Sequence, residues 1–335
     1  MALTNAELES LITWLAECSD DPLKLVIEGF DWGVGELAEY DGPDKWQIDI
    51  LTAIRDGLLT GEEAIRIAVS SGHGIGKSAL VAWIILWALS TMEDTKGVIT
   101  ANTENQLRTK TWAELAKWYR LFIAKDLFQY TATAIFSTDA NHQKTWRIDM
   151  VPWSERNTEA FAGLHNQGKR VLLIFDEASA IPDIIWEVSE GALTDKDTQI
   201  LWFAFGNPTR NTGRFRECFR KFKHRWKIWQ IDSRTVKMTN KNQIQQWIDD
   251  YGEDSDFVKV RVRGIFPSAS DRQFISTTLA DAGRGKHLRE EQYKFAPVII
   301  GVDPAWDGGD ETVIIKRQGL ASWILAVFPK NDNDF

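Results

Sequence analysis

The chain has 335 residues, of which 44% are hydrophobic, and this is enough apolar material for one large or two medium folded domains. The composition excludes an intrinsically disordered protein, and no apolar stretch reaches the length that spans a bilayer. The formal net charge of -9 argues against a protein that coats nucleic acid over its whole surface. Cys18 and Cys218 lie far apart in the sequence, so neither a disulfide framework nor a zinc site is predicted.

The first 60 residues are predicted to form helices, because their apolar positions follow helical spacing. The residues 41–44 read Asp-Gly-Pro-Asp, a turn, and the amphipathic stretch 46–59 follows it. Trp46 and Gln47 lie in the first turn of that stretch. A glutamine amide can pair with both the donor and the acceptor on the edge of adenine. From spacing alone, however, Gln47 is only a surface amide.

The central motif is the stretch 69–78, which reads VSSGHGIGKS between an apolar strand at 64–69 and an apolar helix at 79–89. A glycine-rich loop between a strand and a helix turns its N–H groups towards an anion, and the helix dipole adds to the attraction. Lys77 would reach the β- and γ-phosphates and Ser78 would hold Mg²⁺. Ser71 stands where the usual spacing has the first glycine. The candidate phosphate-binding residues are Gly72, His73, Gly74, Ile75, Gly76, Lys77 and Ser78.

A pair of carboxylates ends the apolar strand at 171–175. Such a strand suits the centre of a parallel sheet, whose C-terminal edge faces a ligand. There Asp176 can hold Mg²⁺ through water, and Glu177 can polarise the water that attacks the γ-phosphate. With a phosphate loop about a hundred residues earlier, the pair indicates a nucleotide hydrolase more strongly than an ordinary buried strand with a charged end.

Further strands are predicted at 97–101, 146–153, 199–205 and 226–231, with a long helix at 104–124. Strands that alternate with helices indicate a parallel sheet covered on both faces, so the predicted fold class is α/β. The strand at 199–205 ends in the polar turn Gly-Asn-Pro-Thr at 206–209, at the edge where the phosphate loop should lie. Asn207 in that turn can sense the γ-phosphate and pass its state to a moving part.

The stretch 210–227 contains eight lysines and arginines in an otherwise acidic chain. Two interpretations stay open: a DNA-binding face, or a solvated helix surface, which charge runs usually are. The sixteen tryptophans show no repeat period and are predicted to be packing anchors.

A helical connector is predicted at 232–288, followed by strands at 298–303, 312–316 and 323–328. Three antiparallel strands, the first ending in Asp303, are how an RNase-H-like nuclease begins. Such a nuclease holds two metal ions with carboxylates from several elements, and Asp303 is a candidate ligand.

With these motifs in order, the chain closely resembles the large subunit of the tailed-bacteriophage terminase over nearly its whole length. The resemblance is carried by the phosphate loop at 71–78, the residues 161–165 and 175–183, the turn at 206–209, the linker at 251–267 and the residues 301–305. It implies an ATPase domain of the P-loop (ASCE or RecA-like) type with an N-terminal helical segment at 1–232, a linker subdomain at 233–293, and the start of an RNase-H-like nuclease at 294–335.

The resemblance also implies roles for individual residues. Lys77 and Ser78 would bind phosphate and Mg²⁺, and Asp176 would coordinate the metal. Trp46 and Gln47 would contact the adenine. Glu177 would be the catalytic carboxylate. Many relatives carry an arginine in the phosphate loop where this chain has His73, so a charge-stabilising arginine must come from elsewhere. The candidates are Arg108, Arg156 and Arg210.

The function implied is an ATP-driven motor that moves double-stranded viral DNA into a procapsid. Its expected cofactors are ATP and Mg²⁺, with Mg²⁺ or Mn²⁺ at the nuclease. Its expected partners are DNA, a portal protein and a small terminase subunit, and a ring of five copies is expected to assemble on the portal. We expect the cytoplasm of a bacterial host, and transiently the procapsid, as its location.

Since only the opening strands of the nuclease are recognised, the resemblance predicts an incomplete nuclease and leaves DNA cleavage by this chain open. Two alternative functions also stay open. One is a defective terminase fragment that only binds the portal or the small subunit. The other is a P-loop DNA helicase, which a single nucleotide-binding core disfavours.

Overall fold

The structure is a computed structural model that describes residues 4–101, 103–153, 161, 164–268, 283, 288–304 and 311–328. The chain divides into two compact units, Met1–Gln273 and Phe274–Phe335. The predicted linker up to residue 268 therefore lies within the first unit, while the domain boundaries at 232 and 293 remain predictions. No helix among the described residues is both long enough and apolar enough to cross a membrane.

The first unit is organised around one eight-stranded mixed sheet, in the order β3-β4-β5-β2-β6-β7-β1-β8. The strands are β1 (Ala64–Ser71), β2 (Lys96–Thr100), β3 (Phe128–Tyr130), β4 (Ala134–Ser137), β5 (Arg147–Met150), β6 (Arg170–Phe175), β7 (Gln199–Gly206) and β8 (Lys227–Ile231). All pairs between β5 and β8 are parallel, and β3 and β4 pair antiparallel at one edge.

Helices cover both faces of this sheet, as side-chain burial along β6 shows. Leu172 and Ile174 belong to one apolar cluster, whereas Val171, Leu173 and Phe175 belong to another on the opposite face. A strand that buries both of its faces must be apolar at nearly every position, and all six residues of β6 are buried. Because β6, β7 and β1 are neighbouring parallel strands, their C-terminal ends meet at one edge of the sheet.

Two helices of the first unit begin with a capping box. Thr4 and Glu7 form a capping box before the first helix, and Asp44 forms another with Gln47 before the third. The helices are α1 (Asn5–Glu17), α2 (Pro22–Glu28), α3 (Lys45–Leu59), α4 (Lys77–Ser90), α5 (Ala113–Leu121), α6 (Asp183–Ser189), α7 (Arg214–Cys218), α8 (Lys241–Tyr251) and α9 (Asp256–Arg261). The central helix α4 is apolar on all sides and is buried from Leu80 to Ser90.

The α/β class and every predicted strand are confirmed, but two details of the prediction are wrong. The sheet is mixed rather than wholly parallel, because the short strands β3 and β4 form an antiparallel hairpin that periodicity did not indicate. The helix predicted at 104–124 is also interrupted. After one α-helical turn it passes through a π-helical segment, Leu107–Trp112, before α5.

The second unit contains a three-stranded antiparallel sheet in the order β11-β10-β9. Its strands are β9 (Val298–Asp303), β10 (Thr312–Gln318) and β11 (Ala321–Phe328). This confirms the three predicted strands and places Asp303 at the end of β9, opposite Val313.

Candidate nucleotide site

The amine of Lys77, the first residue of α4, contacts residues at the ends of two strands, β1 and β7. Lys77 Nζ donates to Ser71 Oγ at 3.1 Å and to Asn207 Oδ1 at 3.4 Å. Asn207 Nδ2 in turn donates to the main-chain oxygen of Ser71 at 2.6 Å. The turn after β7 is thereby joined to both ends of the phosphate loop. Ser71 stands where the usual motif has a glycine, and its hydroxyl accepts the hydrogen bond from Lys77.

The loop itself has the backbone that a phosphate cradle requires. Gly74 and Gly76 have φ angles of 72° and 85°, a left-handed conformation that glycine adopts without strain. Gly76 is the N-cap of α4, so Lys77 and Ser78 occupy its first turn, where main-chain N–H groups are free of helical partners. Ile75 is buried beside them. The amides from Gly74 to Ser78 are therefore the available anion donors.

Asp176 lies at the end of β6 and is 5% exposed. Its Oδ1 accepts from the Glu177 main-chain N–H at 3.0 Å, and its Oδ2 accepts from Thr111 Oγ1 at 2.5 Å. Glu177 itself has φ 52° and ψ 43°, the left-handed region. A residue other than glycine in that region costs about 1–3 kcal/mol, and such strain clusters at active sites.

The charged groups of this site shift one another's pKa values. Burial holds the pKa of the Lys77 ammonium below its ordinary value, while the carboxylates of Glu177 and Asp176 act in the opposite direction. Burial, together with Glu177, raises the pKa of Asp176 above its ordinary range. A buried carboxylate whose charged form is disfavoured gains most from a cation placed beside it.

The side-chain oxygens of Ser78 and Asp176 fit a magnesium ion. Hard cations take oxygen ligands, and Mg²⁺ is usually held by one or two side-chain oxygens together with substrate phosphates and water. The hydroxyl of Ser78, in the first turn of α4, and the buried carboxylate of Asp176 supply that chemistry.

Gln47 joins α3 to the end of the phosphate loop. Its Oε1 accepts from Asp44 N at 2.8 Å and its Nε2 donates to Gly76 O at 3.2 Å. Beside it is a cavity of about 380 Å³, within the usual range for small-molecule sites. The walls of that cavity include Tyr40, Asp44, Gln47, Gly76, Trp83, Trp118, Lys237 and Met238.

Trp46 lies elsewhere. It is 6% exposed and belongs to the apolar cluster on the helix-α4 face of the sheet, and it does not line this cavity. The two neighbours that the sequence grouped together thus point to different surroundings, because successive helical residues are about 100° apart around the axis.

Both arginine candidates among the described residues are exposed. Arg108 pairs with Glu104 at 2.5 Å on an exposed helix surface, and Arg210 is exposed with its main-chain N–H bonded to Ser179 Oγ. Arg156 lies outside the described residues. Sequence reasoning missed another arginine, Arg261 at the end of α9, whose Nη1 is 3.5 Å from Nε2 of His73.

The cationic run at 210–227 is partly neutralised within the fold. Glu190 receives both Arg214 at 2.8 Å and Arg225 at 2.7 Å, while Lys227 pairs with Glu62 at 2.8 Å. Arg216 lies over the ring of Phe266. Five positions of the run are exposed: Arg210, Arg220, Lys221, Lys223 and His224.

The chain is similar to a curated protein and to several solved structures. The chain is 26% identical over 257 residues to a protein of Enterobacteria phage P7 named as a probable terminase, large subunit. The match covers 72% of this chain and 49% of that protein, so the chain spans about half the length of the curated relative it matches. No protein-family model matches the sequence.

Solved structures share the fold. The large terminase from a thermophilic bacteriophage, in complex with ADP, superposes with a TM-score of 0.52 over 84% of this chain and 68% of its own, at 13% identity. The chain resembles the phage terminase large subunits, as predicted. The same terminase in complex with ATP-gamma-S gives a TM-score of 0.50 over 84% of this chain and 67% of its own, at 13% identity. At such identity, the terminase structures support the fold alone.

Proposed function

We propose that the chain is an ATPase of the terminase large-subunit type that couples ATP hydrolysis to the movement of double-stranded DNA into a procapsid. The observation that carries this proposal is the meeting of three groups at one glycine-rich loop: Lys77 and Asn207 are hydrogen-bonded to it, and the charges of Asp176 and Glu177 act on the Lys77 ammonium. The relationship to the phage P7 protein supports the same function.

In this proposal each residue has a physical role. Lys77 and the amides of the loop bind the β- and γ-phosphates, and Ser78 with Asp176 holds Mg²⁺, which when bound screens the phosphate charge. Glu177 orients the attacking water and accepts its proton. Asn207 contacts both Lys77 and Ser71, so it senses whether the lysine has turned to a γ-phosphate.

Adenine is proposed to occupy the cavity beside Gln47. The amide of Gln47 has one remaining hydrogen and one remaining lone pair after its contacts with Gly76 and Asp44. These can meet the acceptor and donor on the base edge. The indoles of Trp83 and Trp118 line the same cavity and offer apolar surface. Trp46 contributes by packing α3 against the core.

The proposed partners are double-stranded DNA, a portal protein and a small terminase subunit, with five copies in a ring. A nuclease role for Asp303 is also proposed, as a metal ligand in the second unit. It is tested by Mn²⁺-dependent cleavage of supercoiled plasmid. Loss of cleavage in Asp303→Ala supports the role, whereas equal cleavage by variant and wild-type protein, or none by either, refutes it.

The deciding experiment measures ATP hydrolysis by the purified chain and by Glu177→Gln. We expect turnover by the wild-type protein and a loss of about 100-fold or more in the variant, with nucleotide binding preserved. Glu187→Gln, an exposed glutamate on α6, is the matched control and should leave turnover unchanged. Equal turnover by wild-type protein and Glu177→Gln would refute the catalytic role of Glu177, whereas no turnover by the wild-type protein would refute the ATPase and favour a chain that only binds its partners.

A helicase is tested separately. The described residues contain one phosphate loop on one sheet, whereas helicases of this superfamily usually repeat the core. Strand separation of a forked duplex, without movement along blunt double-stranded DNA, would favour the helicase over the packaging motor.

A further inference from the structure

The last glycine of the phosphate loop contacts a residue far along the chain. A Cβ added at Gly76 would lie 2.9 Å from Met238 Sδ and 3.3 Å from Gln47 Nε2. Met238 lies between β8 and α8, whereas Gln47 belongs to α3. The thioether and the amide therefore meet beside the same glycine, in space that a larger residue at position 76 would occupy.

The main chain is held on both sides of Met238. Lys237 N donates to Asp44 Oδ2 at 2.8 Å, and Thr239 Oγ1 donates to Ser233 O at 2.6 Å. The side chain of Met238 is nevertheless 54% exposed. The backbone at this position is thus fixed, while an apolar side chain beside the phosphate loop is left largely uncovered.

This side chain lines the cavity of about 380 Å³ beside Gln47. Trp83 and Trp118 line the same cavity and are themselves buried. A thioether is polarisable and makes favourable contacts with aromatic rings, and covering an exposed apolar group with an apolar ligand surface stabilises a complex. An apolar wall, one amide and one thioether together suit a flat heteroaromatic ring that carries polar groups only on its edge.

Asp44 holds both the amide and the thioether. Its main-chain N–H donates to Gln47 Oε1 at 2.8 Å, and its carboxylate accepts from Lys237 N, next to Met238. The first bond fixes which end of the Gln47 amide accepts, since Nε2 donates to Gly76 O. We propose that Met238 packs against the face of the nucleotide base, and that Asp44 is the positioning residue that holds Met238 there.

This inference rests on the proposed function, because it requires a nucleotide whose base occupies the cavity. It divides nucleotide binding into two parts. The phosphates are bound by the loop, whereas the base is contacted at its edge by Gln47 and on its face by Met238. The affinity for a ligand that has phosphates and no base should therefore not depend on Met238.

The first test compares ADP with pyrophosphate, which lacks the base, by isothermal titration calorimetry on the full chain. We expect Met238→Ala to weaken ADP binding about tenfold, because the apolar contact is lost, and pyrophosphate binding less than twofold. Met238→Leu, which keeps most of the apolar surface, should restore most of the ADP affinity. Met92→Ala is the control, since Met92 is a partly exposed methionine between α4 and β2 that does not line the cavity.

The outcomes separate the inference from the proposed function. Unchanged ADP affinity in Met238→Ala, or equal losses for ADP and pyrophosphate, would overturn the contact with the base. A wild-type chain that binds neither ligand would refute the proposed nucleotide site itself.

The role of Asp44 is tested by a double-mutant cycle. Asp44→Ala removes the acceptor of Lys237 N and should weaken ADP binding about fivefold, whereas Asp44→Asn keeps a side-chain oxygen and should restore most of it. In a chain that already carries Met238→Ala, Asp44→Ala should have little further effect, because both changes remove the same contact. Losses that simply add would show that Asp44 does not act through Met238.

A second readout observes the contact directly. The chain has four methionines, so the methyl resonance of Met238 can be identified by its absence from the ¹³C spectrum of Met238→Leu. A methyl group that packs on the face of a base is shifted upfield by the ring current. We expect this shift with saturating ADP and none with pyrophosphate. A Met238 methyl resonance that ADP and pyrophosphate affect alike would overturn the inference.

Discussion

Thr111 Oγ1 lies 2.5 Å from Oδ2 of Asp176, and both side chains are buried. The hydroxyl belongs to the π-helical segment Leu107–Trp112. A π turn holds an extra residue, which rotates the following positions by about 100° relative to a continuous α-helix. The segment that interrupts the predicted helix thus supplies a hydrogen-bond donor to the proposed metal ligand.

We predict that Thr111→Val weakens divalent-metal binding about 10- to 100-fold, the usual effect of removing a partner of a metal ligand. Valine keeps the shape of threonine and removes the donor, so Asp176 loses orientation without a cavity. Mn²⁺ binding monitored by electron paramagnetic resonance in the presence of ADP provides the measurement, independent of turnover.

Two further variants separate orientation from packing. Thr111→Ser retains the hydroxyl and should restore most of the metal affinity. Thr109→Val removes an exposed hydroxyl that donates to Asn105 O in the same helix and should have no effect. Metal affinity that falls equally in Thr111→Ser and Thr111→Val would show that the methyl group, and not the hydroxyl, matters.

The contrast between these residues and Lys77 shows what the sequence could predict. Lys77, Asp176 and Glu177 follow strands at short, recognisable spacings, so their meeting at one sheet edge follows from the order of elements. Thr111 and Arg261 reach the site through a change of helical register and through the return of a distant segment. Neither event has a local pattern, because each depends on contacts between residues distant in sequence.

The same reason accounts for the other errors. The hairpin β3–β4 consists of three- and four-residue strands, too short for alternation to be counted. Trp46 and Gln47 are neighbours in sequence, but the helix α3 turns the first into the core and the second towards the loop. Amphipathic spacing predicted the helix without showing which neighbouring elements each residue would meet.

Two histidines should affect stability with opposite dependence on pH. Burial lowers the pKa of His73 to about 4 in the folded protein, whereas the unfolded chain has the ordinary value near 6.5. At a pH between these two values, the unfolded chain therefore binds more protons at this residue than the folded protein does. The contribution of His73 is complete above the ordinary value and is lost as the pH falls towards 4. We expect the wild-type protein to lose more stability than His73→Gln between pH 7 and pH 5, measured as the urea midpoint.

His142 behaves in the reverse sense. Its Nδ1 is 2.7 Å from Asp94 Oδ1, and this hydrogen bond, reinforced by the charges of Asp94 and Glu93, raises the pKa of His142. The stabilisation is present below the unfolded value near 6.5 and is lost as the pH rises through the higher folded value. His142→Gln should therefore lower the urea midpoint more at pH 5.5 than at pH 8.5. Parallel pH profiles for both variants would contradict this account.

The exposed cations of the 210–227 stretch are predicted to contact DNA. Arg220, Lys221 and Lys223 are exposed on one short segment, and two other cations of the run, Arg214 and Arg225, form ion pairs with Glu190. Reversing the first three to glutamate should weaken binding to double-stranded DNA at least about tenfold. Every DNA phosphate that these cations no longer neutralise should also reduce the slope of log K against log salt by about 0.9.

The appropriate control changes the net charge equally at a different place. Lys45, Lys125 and Lys196 are exposed in α3, before β3 and before β7, so their reversal to glutamate matches the change in total charge. If only the overall acidity of the chain mattered, both triple variants would lose affinity alike. A salt slope that changes in the first variant and stays constant in the second would locate the DNA contact at residues 220–223. An unchanged slope in both would return this stretch to an ordinary solvated surface.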